Sequence, residues 1–193
     1  MTRAVAQTVG PVAPEDGDDT LVAAAREDPQ AFGHLYDSYY PRLFRYLRSR
    51  TTSPEDAADL TQQVFLRAFD NLHRYKPSGA FTAWLVRIAR NAANDADRKR
   101  KRRGPAPVDI AAINVPDNGL PEDELLRRER IARLGASLAT LDAGKRDLLA
   151  LRFAAGLTSA EIGKLVGKSE SAVKKQLSRT ISSLKEHYRD DLT

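Results

Sequence analysis

Apolar residues recur every three or four positions along most of the chain, which is the spacing of one buried face of an α-helix. The pattern is clearest in residues 81–103, whose apolar side is formed by Phe81, Trp84, Leu85, Ile88 and Ala92. Residues 19–103 show none of the two-residue alternation that is typical of a half-buried strand. The sequence therefore predicts an all-α fold.

The first module is predicted to contain four helices, over about residues 20–27, 30–50, 54–72 and 81–103. Ser53 is predicted to cap the third helix, with Pro54 at its first position. Pro41 lies inside the second helix, so a kink or a short break is expected near Tyr40. Ser78, in the loop before the fourth helix, is the predicted cap of that helix.

Two stretches lack this periodicity. Residues 1–18 are predicted to form a disordered tail, because they combine glycine, proline and acidic residues. Residues 104–121 contain four prolines and are predicted to be a flexible linker. The chain is thus predicted to form two small helical domains, residues 19–103 and residues 122–193.

The second module is predicted to begin with a helix over about residues 122–138. Asp142 is predicted to cap the next helix, which Gly156 ends, and its apolar side is formed by Leu148, Leu149, Leu151 and Phe153. Thr158 and Glu161 have the spacing of a capping box, which predicts a third, short helix.

Gly167 is predicted to turn the chain after that short helix, and Ser169 to cap a longer one. The buried stripe of the longer helix is formed by Val173, Leu177, Ile181 and Leu184. A short helix, a tight turn and a longer helix indicate a helix-turn-helix. Its outer side carries Lys174, Lys175, Ser178 and Arg179, which suit phosphate and base-edge contacts in a major groove. The alternative is a plain helical hairpin with a solvated basic face.

The outer side of residues 81–103 is also basic. Arginines and amides recur on it at Arg87, Arg90, Asn91, Asn94 and Arg98, and residues 98–103 are all cationic. Such a helix suits a polyanion, although a cationic run is often only a solvated helix end. Trp84 is interpreted as a core residue rather than a base-stacking one.

Composition excludes several classes of protein. The net charge is +5, and the absence of cysteine excludes disulfides and thiolate metal sites. The three histidines lack metal-ligand spacing, and no catalytic constellation, phosphate loop or cofactor motif is present. We therefore expect no catalytic residue, no metal, no cofactor and no small-molecule substrate. No apolar run suggests membrane insertion or a signal peptide, so a cytoplasmic location is expected.

Charge is unevenly distributed along the chain. Basic residues exceed acidic ones in residues 21–103 and 123–193, whereas acidic residues dominate residues 1–20 and 104–122. This alternation indicates two modules that touch one polyanion, joined by a segment that does not.

Both modules resemble one family, the group IV or extracytoplasmic-function sigma factors of bacterial RNA polymerase. The first resembles region 2 along PEDAADLTQQVFLRAF and FTAWLVRIARNAANDADRKRKRR. The second resembles region 4 along LATLDAGKRDLLALRFAAGLTSAEIGKLVGKSESAVKKQLSR. The resemblance covers about residues 20–187. Region 4 alone is weakly specific, because response regulators end in a similar helix-turn-helix, whereas both region 2 motifs preceding it are far more specific.

The resemblance implies roles for matched residues. The clamp coiled coil of the polymerase's largest subunit would be contacted by Asp56, Asp59, Leu60, Gln62, Gln63 and Phe65. The −10 element would be bound by Tyr75, Lys76, Arg87, Arg90, Asn91, Asn94, Arg98, Lys99 and Arg100. The −35 element would be bound by Ser171, Lys174, Lys175, Ser178 and Arg179. Tyr75 is the candidate for base stacking, and its alternative is packing onto the adjacent helix.

Four positions depart from the family pattern. Ala58 and Gln63 stand where the family usually has glutamate, so the docking face is less acidic. In the recognition helix, Lys175 replaces a small hydroxyl residue and Gln176 replaces a cation. The preferred −35 sequence therefore does not follow from the resemblance.

The resemblance implies a transcription initiation factor without enzymatic activity. Its partners would be core RNA polymerase, at the clamp coiled coil and the flap, promoter DNA, and an anti-sigma factor that controls it. No added sensory domain is expected. Two other classes remain open from the residues alone: a DNA-binding regulator that acts without polymerase, and an RNA-binding or structural helical protein.

Overall fold

The computed structural model describes residues 18–77, 80–103 and 121–190, and all regular structure within these ranges is helical. The eight α-helices are α1 (Asp18–Glu27), α2 (Phe32–Arg48), α3 (Pro54–Asn71), α4 (Phe81–Arg103), α5 (Pro121–Ala139), α6 (Ala143–Leu149), α7 (Ser159–Val166) and α8 (Glu170–Asp190). Short 3-10 turns lie at Pro29–Ala31 and Leu72–Arg74, and a π-helical segment, Ala150–Ala154, continues α6. The predicted all-α fold is confirmed.

The predicted helix starts have the hydrogen bonds that define caps. The Ser53 hydroxyl accepts from the Asp56 amide at 3.1 Å, and the Asp142 carboxylate accepts from the Lys145 amide at 2.8 Å. Thr158 and Glu161 form the reciprocal capping box. These side chains satisfy amides that the first turn leaves without partners, which is why helix starts are readable from sequence.

One expectation about the path of the chain is not met, and several others fall outside the described residues. The break expected near Tyr40 does not occur, because α2 runs unbroken through Pro41, whose ring lies on the exposed side. Water can bond the carbonyl that loses its amide partner there. The predicted tail, the predicted linker up to residue 120, and Ser78 lie outside the described residues.

The core of the first module lies between α2, α3 and α4. Each contributes side chains that are almost fully buried, among them Leu43 and Leu47 of α2, Val64 of α3 and Leu85 of α4. Helix α1 covers one side of α2 through Val22. This packing holds one side of α3 and one side of α4 against the core of the first module and turns their other sides away from it.

The second module contains the predicted helix-turn-helix, formed by α7, a turn at Gly167 and α8. Gly167 has a φ of +70°, the left-handed conformation that favours glycine. At Gly163 an added Cβ would lie 2.6 Å from the Lys168 carbonyl oxygen, so only glycine lets α7 approach the turn this closely. Val173 and Leu177 bury α8 against the module, and thereby orient its outer side.

The π-helical segment corrects one predicted core residue. The Ala155 amide bonds the Ala150 carbonyl, five residues back, at 2.9 Å. This wider turn shifts the buried face relative to an α-helix. Leu151 is therefore fully buried, while Phe153, predicted on the same apolar side, is 58% exposed.

The two modules touch in this structure. The π-helical segment lies against α2, and α7 lies against α4. Buried residues from both modules, including Leu85 and Leu151, belong to one continuous apolar cluster. We refer to this contact between α2 and α4 on one side and residues 147–166 on the other as the closed arrangement.

Candidate polymerase and nucleic-acid interfaces

The outer side of α3 carries most of the residues expected to contact polymerase. Asp56, Asp59, Gln62 and Gln63 are exposed, and Leu60 is half-buried against the core. The Asp56 carboxylate accepts a hydrogen bond from the Thr52 hydroxyl at 3.1 Å. Acidic and amide groups thus lie together on one accessible helix face.

Phe65 is not part of this face. It is 4% exposed, and its ring packs against Tyr36 with ring centres 4.6 Å apart. Phe65 is therefore a core residue in this structure, and its expected contact with polymerase stays a prediction. Leu66, which the sequence reasoning missed, is 66% exposed and follows Asp59 and Gln62 at helical spacing. The sequence did carry a signal for Leu66: it is an apolar residue that falls outside the three- and four-residue spacing of the buried side of α3.

Tyr75, the expected base-stacking residue, is also buried. It is 4% exposed, and its ring packs against Phe81 and Trp84 with ring centres 5.4 and 5.5 Å away. Its hydroxyl donates to the Asp19 carboxylate at 2.8 Å. The structure therefore favours the packing alternative, and the stacking role stays a prediction. Lys76, the next residue, is exposed.

Helix α1 holds the start of the loop that contains Tyr75. The Arg26 guanidinium donates to the carbonyls of Leu72, at 3.0 Å, and of Tyr75. Because Asp19 also accepts a hydrogen bond from the Tyr75 hydroxyl, α1 contacts the loop through two of its side chains, Asp19 and Arg26. Sequence reasoning assigned no role to α1, because nothing local to residues 18–27 indicates what they touch.

The outer side of α4 divides into an open part and a covered part. Arg87, Asn91, Arg98 and Lys99 are exposed. Arg98 forms an ion pair with Asp95 at 3.1 Å. Arg100 lies within α4, and the direction of its side chain is outside what the structure describes.

The covered part consists of Arg90, which bonds a residue of the second module, and Asn94, which bonds a residue of the first. Arg90 Nε donates to Asp147 Oδ2 at 2.8 Å, and Asn94 Oδ1 accepts from Arg50 Nη2 at 2.9 Å. Both residues were expected to bind the −10 element. In the closed arrangement they are engaged by the protein itself.

Asp147 is the centre of this contact. Its carboxylate, 8% exposed, accepts from Arg90, from Arg50, and from the Tyr46 hydroxyl at 3.2 Å. Arg50 also reaches Asp97, at 3.2 Å. We call Tyr46, Arg50, Arg90 and Asp147 the Asp147 cluster. Sequence reasoning missed it, because its members are separated by up to 101 residues and meet only through folding.

The cluster changes the acidity of its members. Burial raises the pKa of Tyr46, and the adjacent Asp147 charge raises it further. Burial acts to lower the pKa of Arg50, but its neighbours Tyr46, Asp147 and Asp97 outweigh burial and raise it. Tyr46 therefore stays a neutral donor and Arg50 stays a cation.

The recognition helix α8 presents its expected DNA-facing residues to solvent. The exposed residues are Ser171, Lys174, Lys175, Ser178 and Arg179. Lys174 pairs with Glu170 at 2.6 Å. Gln176, which stands where the family usually has a cation, accepts from the Lys168 ammonium at 2.7 Å. The Lys168 ammonium, which comes from the turn before α8, therefore lies beside Gln176, the position at which the family usually has a cation.

Two structural features bear on other functions. Among the described residues, no group of histidine, aspartate and glutamate side chains could hold a metal ion. No helix in the described ranges combines the length and the apolar character needed to cross a membrane.

Comparison with known proteins gives the family. The family model described as sigma-70 region 2 matches residues 35–103, and that of sigma-70 region 4 matches residues 137–186. The chain is 34% identical to the extracytoplasmic-function sigma factor ShbA of Streptomyces griseus, over 88% of this chain and 96% of that protein. It is 32% identical to BldN of Streptomyces coelicolor, spanning 62% of that longer relative.

Solved structures agree with these matches. The structure of CnrH in complex with the cytosolic domain of CnrY has 25% identity and a TM-score of 0.68, covering 91% of this chain and 99% of that one. CnrH of Cupriavidus metallidurans is also 30% identical in sequence, over 89% of this chain and 94% of that protein. RpoE of Bartonella quintana, at 21% identity and a TM-score of 0.67, shares the fold. The chain therefore belongs to the extracytoplasmic-function group of the sigma-70 family of RNA polymerase sigma factors.

Proposed function

We propose that this sigma factor binds core RNA polymerase through residues 19–103 and places its two domains on the −10 and −35 promoter elements. The observation that carries the proposal is the exposed outer side of α8. It presents Lys174, Lys175, Ser178 and Arg179 from a helix-turn-helix whose other side is buried. Cations contact phosphates and short polar groups reach base edges when such a helix enters a major groove.

Polymerase binding is assigned to the outer side of α3. Asp59, Gln62 and Gln63 supply hydrogen-bond acceptors, and Leu66 supplies an apolar contact at the same helical spacing. A basic, partly apolar helix such as one strand of a coiled coil fits this face. The assignment replaces the buried Phe65 with Leu66.

Recognition of the −10 element is assigned to the loop from Lys76 and to the outer side of α4. Arg87, Asn91, Arg98 and Lys99 are accessible for it in the closed arrangement. Arg90 becomes accessible only when Asp147 leaves it, and Asn94 is held by Arg50, which is itself a partner of Asp147. Promoter binding through the whole face therefore requires the two domains to separate, and the cationic end of α4 supplies affinity more than sequence preference.

Control by an anti-sigma factor is part of the proposal. The relative CnrH has been solved with the cytosolic domain of CnrY, and a protein of that kind would act here by keeping the DNA-facing sides covered. The protein would act in the cytoplasm, where core polymerase is found. It would have no catalytic reaction of its own, and strand opening would use binding energy from the −10 contacts.

Run-off transcription with purified core polymerase tests the proposal. Promoter-specific transcripts that appear only when this protein is added support it. A DNA footprint without binding to core polymerase would instead indicate a regulator of another class. In a separate pull-down assay, Asp59→Arg should impair binding to core polymerase, because it reverses the charge at that position of the exposed α3 face. An unchanged pull-down would exclude that face.

A further inference from the structure

The Asp147 cluster has the geometry of an anion site. Each oxygen of the Asp147 carboxylate is bound by a different arginine, Oδ1 by Arg50 and Oδ2 by Arg90 at 2.8 Å. The Tyr46 hydroxyl adds a third donor to Oδ1. A phosphodiester likewise presents two non-bridging oxygens, and arginine forks match them as they match a carboxylate.

The three donors belong to the first domain, and the acid belongs to the second. Tyr46 lies in the last turn of α2, Arg50 lies two residues after its end, and Arg90 lies on α4. When the second domain moves away, the donors stay together, because α2 and α4 remain packed through the core. The site would then be an open, pre-arranged group of donors without its acid.

The position of the site favours DNA as the replacement ligand. Arg50 bonds Asn94, and Arg90 lies between the exposed residues Arg87 and Asn91 on the same helix. Asp97 neutralises one of the two guanidinium charges, at 3.2 Å from Arg50. One positive charge and a neutral hydroxyl donor remain, which suits a singly charged phosphodiester group.

We propose that Tyr46, Arg50 and Arg90 bind a backbone phosphate of promoter DNA beside the −10 face, and that Asp147 occupies this site in the closed arrangement. The inference rests on the proposed function, since it takes promoter DNA as the ligand. It adds Arg50 and Tyr46 to the DNA interface, and it makes Asp147 a direct competitor of that DNA.

Competition gives Arg50 two opposed effects, and these make the proposal testable. As a partner of Asp147 it favours the closed arrangement, and as a phosphate ligand it favours bound DNA. A residue that served only the closed arrangement would, when removed, release the DNA face and strengthen DNA binding. A phosphate ligand, when removed, weakens DNA binding even after Asp147 has been neutralised.

The first experiment measures binding of a fluorescent single-stranded oligonucleotide with the −10 sequence to holoenzyme, over a series of salt concentrations. Arg50→Ala should weaken binding by about tenfold and reduce the log–log salt slope by about 0.7, the value for one phosphate contact on a single strand. Arg50→Lys should keep the slope and recover part of the affinity. Arg45→Ala, at an exposed arginine of α2 five residues before Arg50, is the matched control and should change neither.

The second experiment uses the protein without polymerase. Asp147→Asn should increase binding of the same oligonucleotide, and adding Arg50→Ala to it should remove that gain. The proposal is overturned if Arg50→Ala alone increases binding by as much as Asp147→Asn does. It is also overturned if Arg50→Ala leaves the salt slope of the holoenzyme unchanged. In either case Arg50 is only a contact of the closed arrangement.

Wild-type holoenzyme in run-off transcription separates the two levels of inference. If the wild-type protein gives no promoter-specific transcripts, the proposed function itself is refuted. Normal wild-type transcription, combined with an Arg50→Ala protein that binds DNA and responds to salt like wild type, would refute only the phosphate site.

Discussion

Asp147 Oδ2 accepts a hydrogen bond from Arg90 Nε at 2.8 Å, and this bond joins the second domain to α4, the helix expected to bind the −10 element. The contact is mostly buried, with 8% of the Asp147 side chain and 26% of the Arg90 side chain exposed. Buried ion pairs contribute little net stability, yet removing one partner is costly. The pair therefore adds little net stability by itself, but loss of either partner leaves the other charge without its counter-ion.

Neutralising Asp147 should open the molecule. Asp147→Asn leaves Arg50 and Arg90 without a full counter-charge, and breaking a buried pair typically costs about 3–5 kcal/mol. Because the chain has no cysteine, dyes can be placed through Glu55→Cys and Ser182→Cys, both at exposed positions. Energy transfer between the two dyes should fall in the Asp147→Asn protein.

Asp142→Asn is the matched control for that experiment. It makes the same change of charge at the start of the same helix, but Asp142 is exposed and asparagine caps helices equally well. Energy transfer should stay at the wild-type value in this variant. Equal transfer in the Asp147→Asn protein would show that the cluster does not hold the domains together.

Leu66→Ala should weaken binding to core polymerase by about tenfold, because burying a leucine at an interface contributes about 1.5–3 kcal/mol. Its effect on folding should be within about 0.5 kcal/mol, since the side chain is 66% exposed. Titration of labelled protein with core polymerase measures the affinity, and a thermal melt checks the fold. An unchanged affinity would remove Leu66 from the interface.

Tyr75→Ala should destabilise the protein by about 3–5 kcal/mol, the range for truncating a large buried aromatic residue. Tyr75→Phe keeps the ring contacts with Phe81 and Trp84 and loses the bond to Asp19, so it should cost about 1 kcal/mol. Denaturant unfolding measures both values. A Tyr75→Ala protein of wild-type stability that binds −10 DNA weakly would restore the stacking role.

Tyr46→Phe should change how stability responds to alkaline pH. Burial raises the pKa of Tyr46 above the ordinary value of about 10. Between pH 10 and the raised pKa, the unfolded chain releases this proton and the folded chain keeps it, so the free energy of unfolding falls as pH rises.

In the Tyr46→Phe protein this component is absent. The variant should be less stable than wild type by about 1 kcal/mol at pH 7, because the bond to Asp147 is lost. Its free energy of unfolding should then fall less than that of wild type between pH 9 and pH 11. Parallel pH curves for the two proteins would show that Tyr46 is not held neutral by its surroundings.

Lys174→Ala and Arg179→Ala should each reduce −35-dependent transcription by about tenfold and leave binding to core polymerase intact. Both side chains are exposed on the outer side of α8, where they would contact phosphates or base edges. Lys185→Ala, an exposed lysine nearer the end of the same helix, is the control and should have little effect. Loss of core binding in either variant would contradict the assigned role.

Much of this fold was readable from local pattern. Ser53, Asp142, Thr158 and Ser169 were identified as caps from their own neighbourhoods, and each accepts the expected amide hydrogen bond. Caps and helical periodicity depend on residues within one or two turns, so a sequence displays them directly. The basic outer sides of α4 and α8 follow for the same reason, because the buried stripe of a helix determines which side faces outward.

Local pattern gave only weak signals for residues at the boundary of a buried stripe. Phe65 and Leu66 are adjacent apolar residues, yet 4% of one and 66% of the other is exposed. Tyr75 has no periodicity to follow, and its burial depends on Asp19 of α1 as well as on α4. Phe153 lies outside the core because the chain forms a π-helical turn there, and no residue type in the sequence predicts such a turn.

The contact between the domains was decided by tertiary structure alone. Asp147 is one acid in an amphipathic helix, and nothing near it in the chain indicates that it is buried or which residues it contacts. Folding brings it to Tyr46, Arg50 and Arg90, which lie 57 to 101 residues away, and excludes most water from the group. Helices form from neighbours in sequence, whereas a buried charge needs partners that only the packing of distant helices can supply.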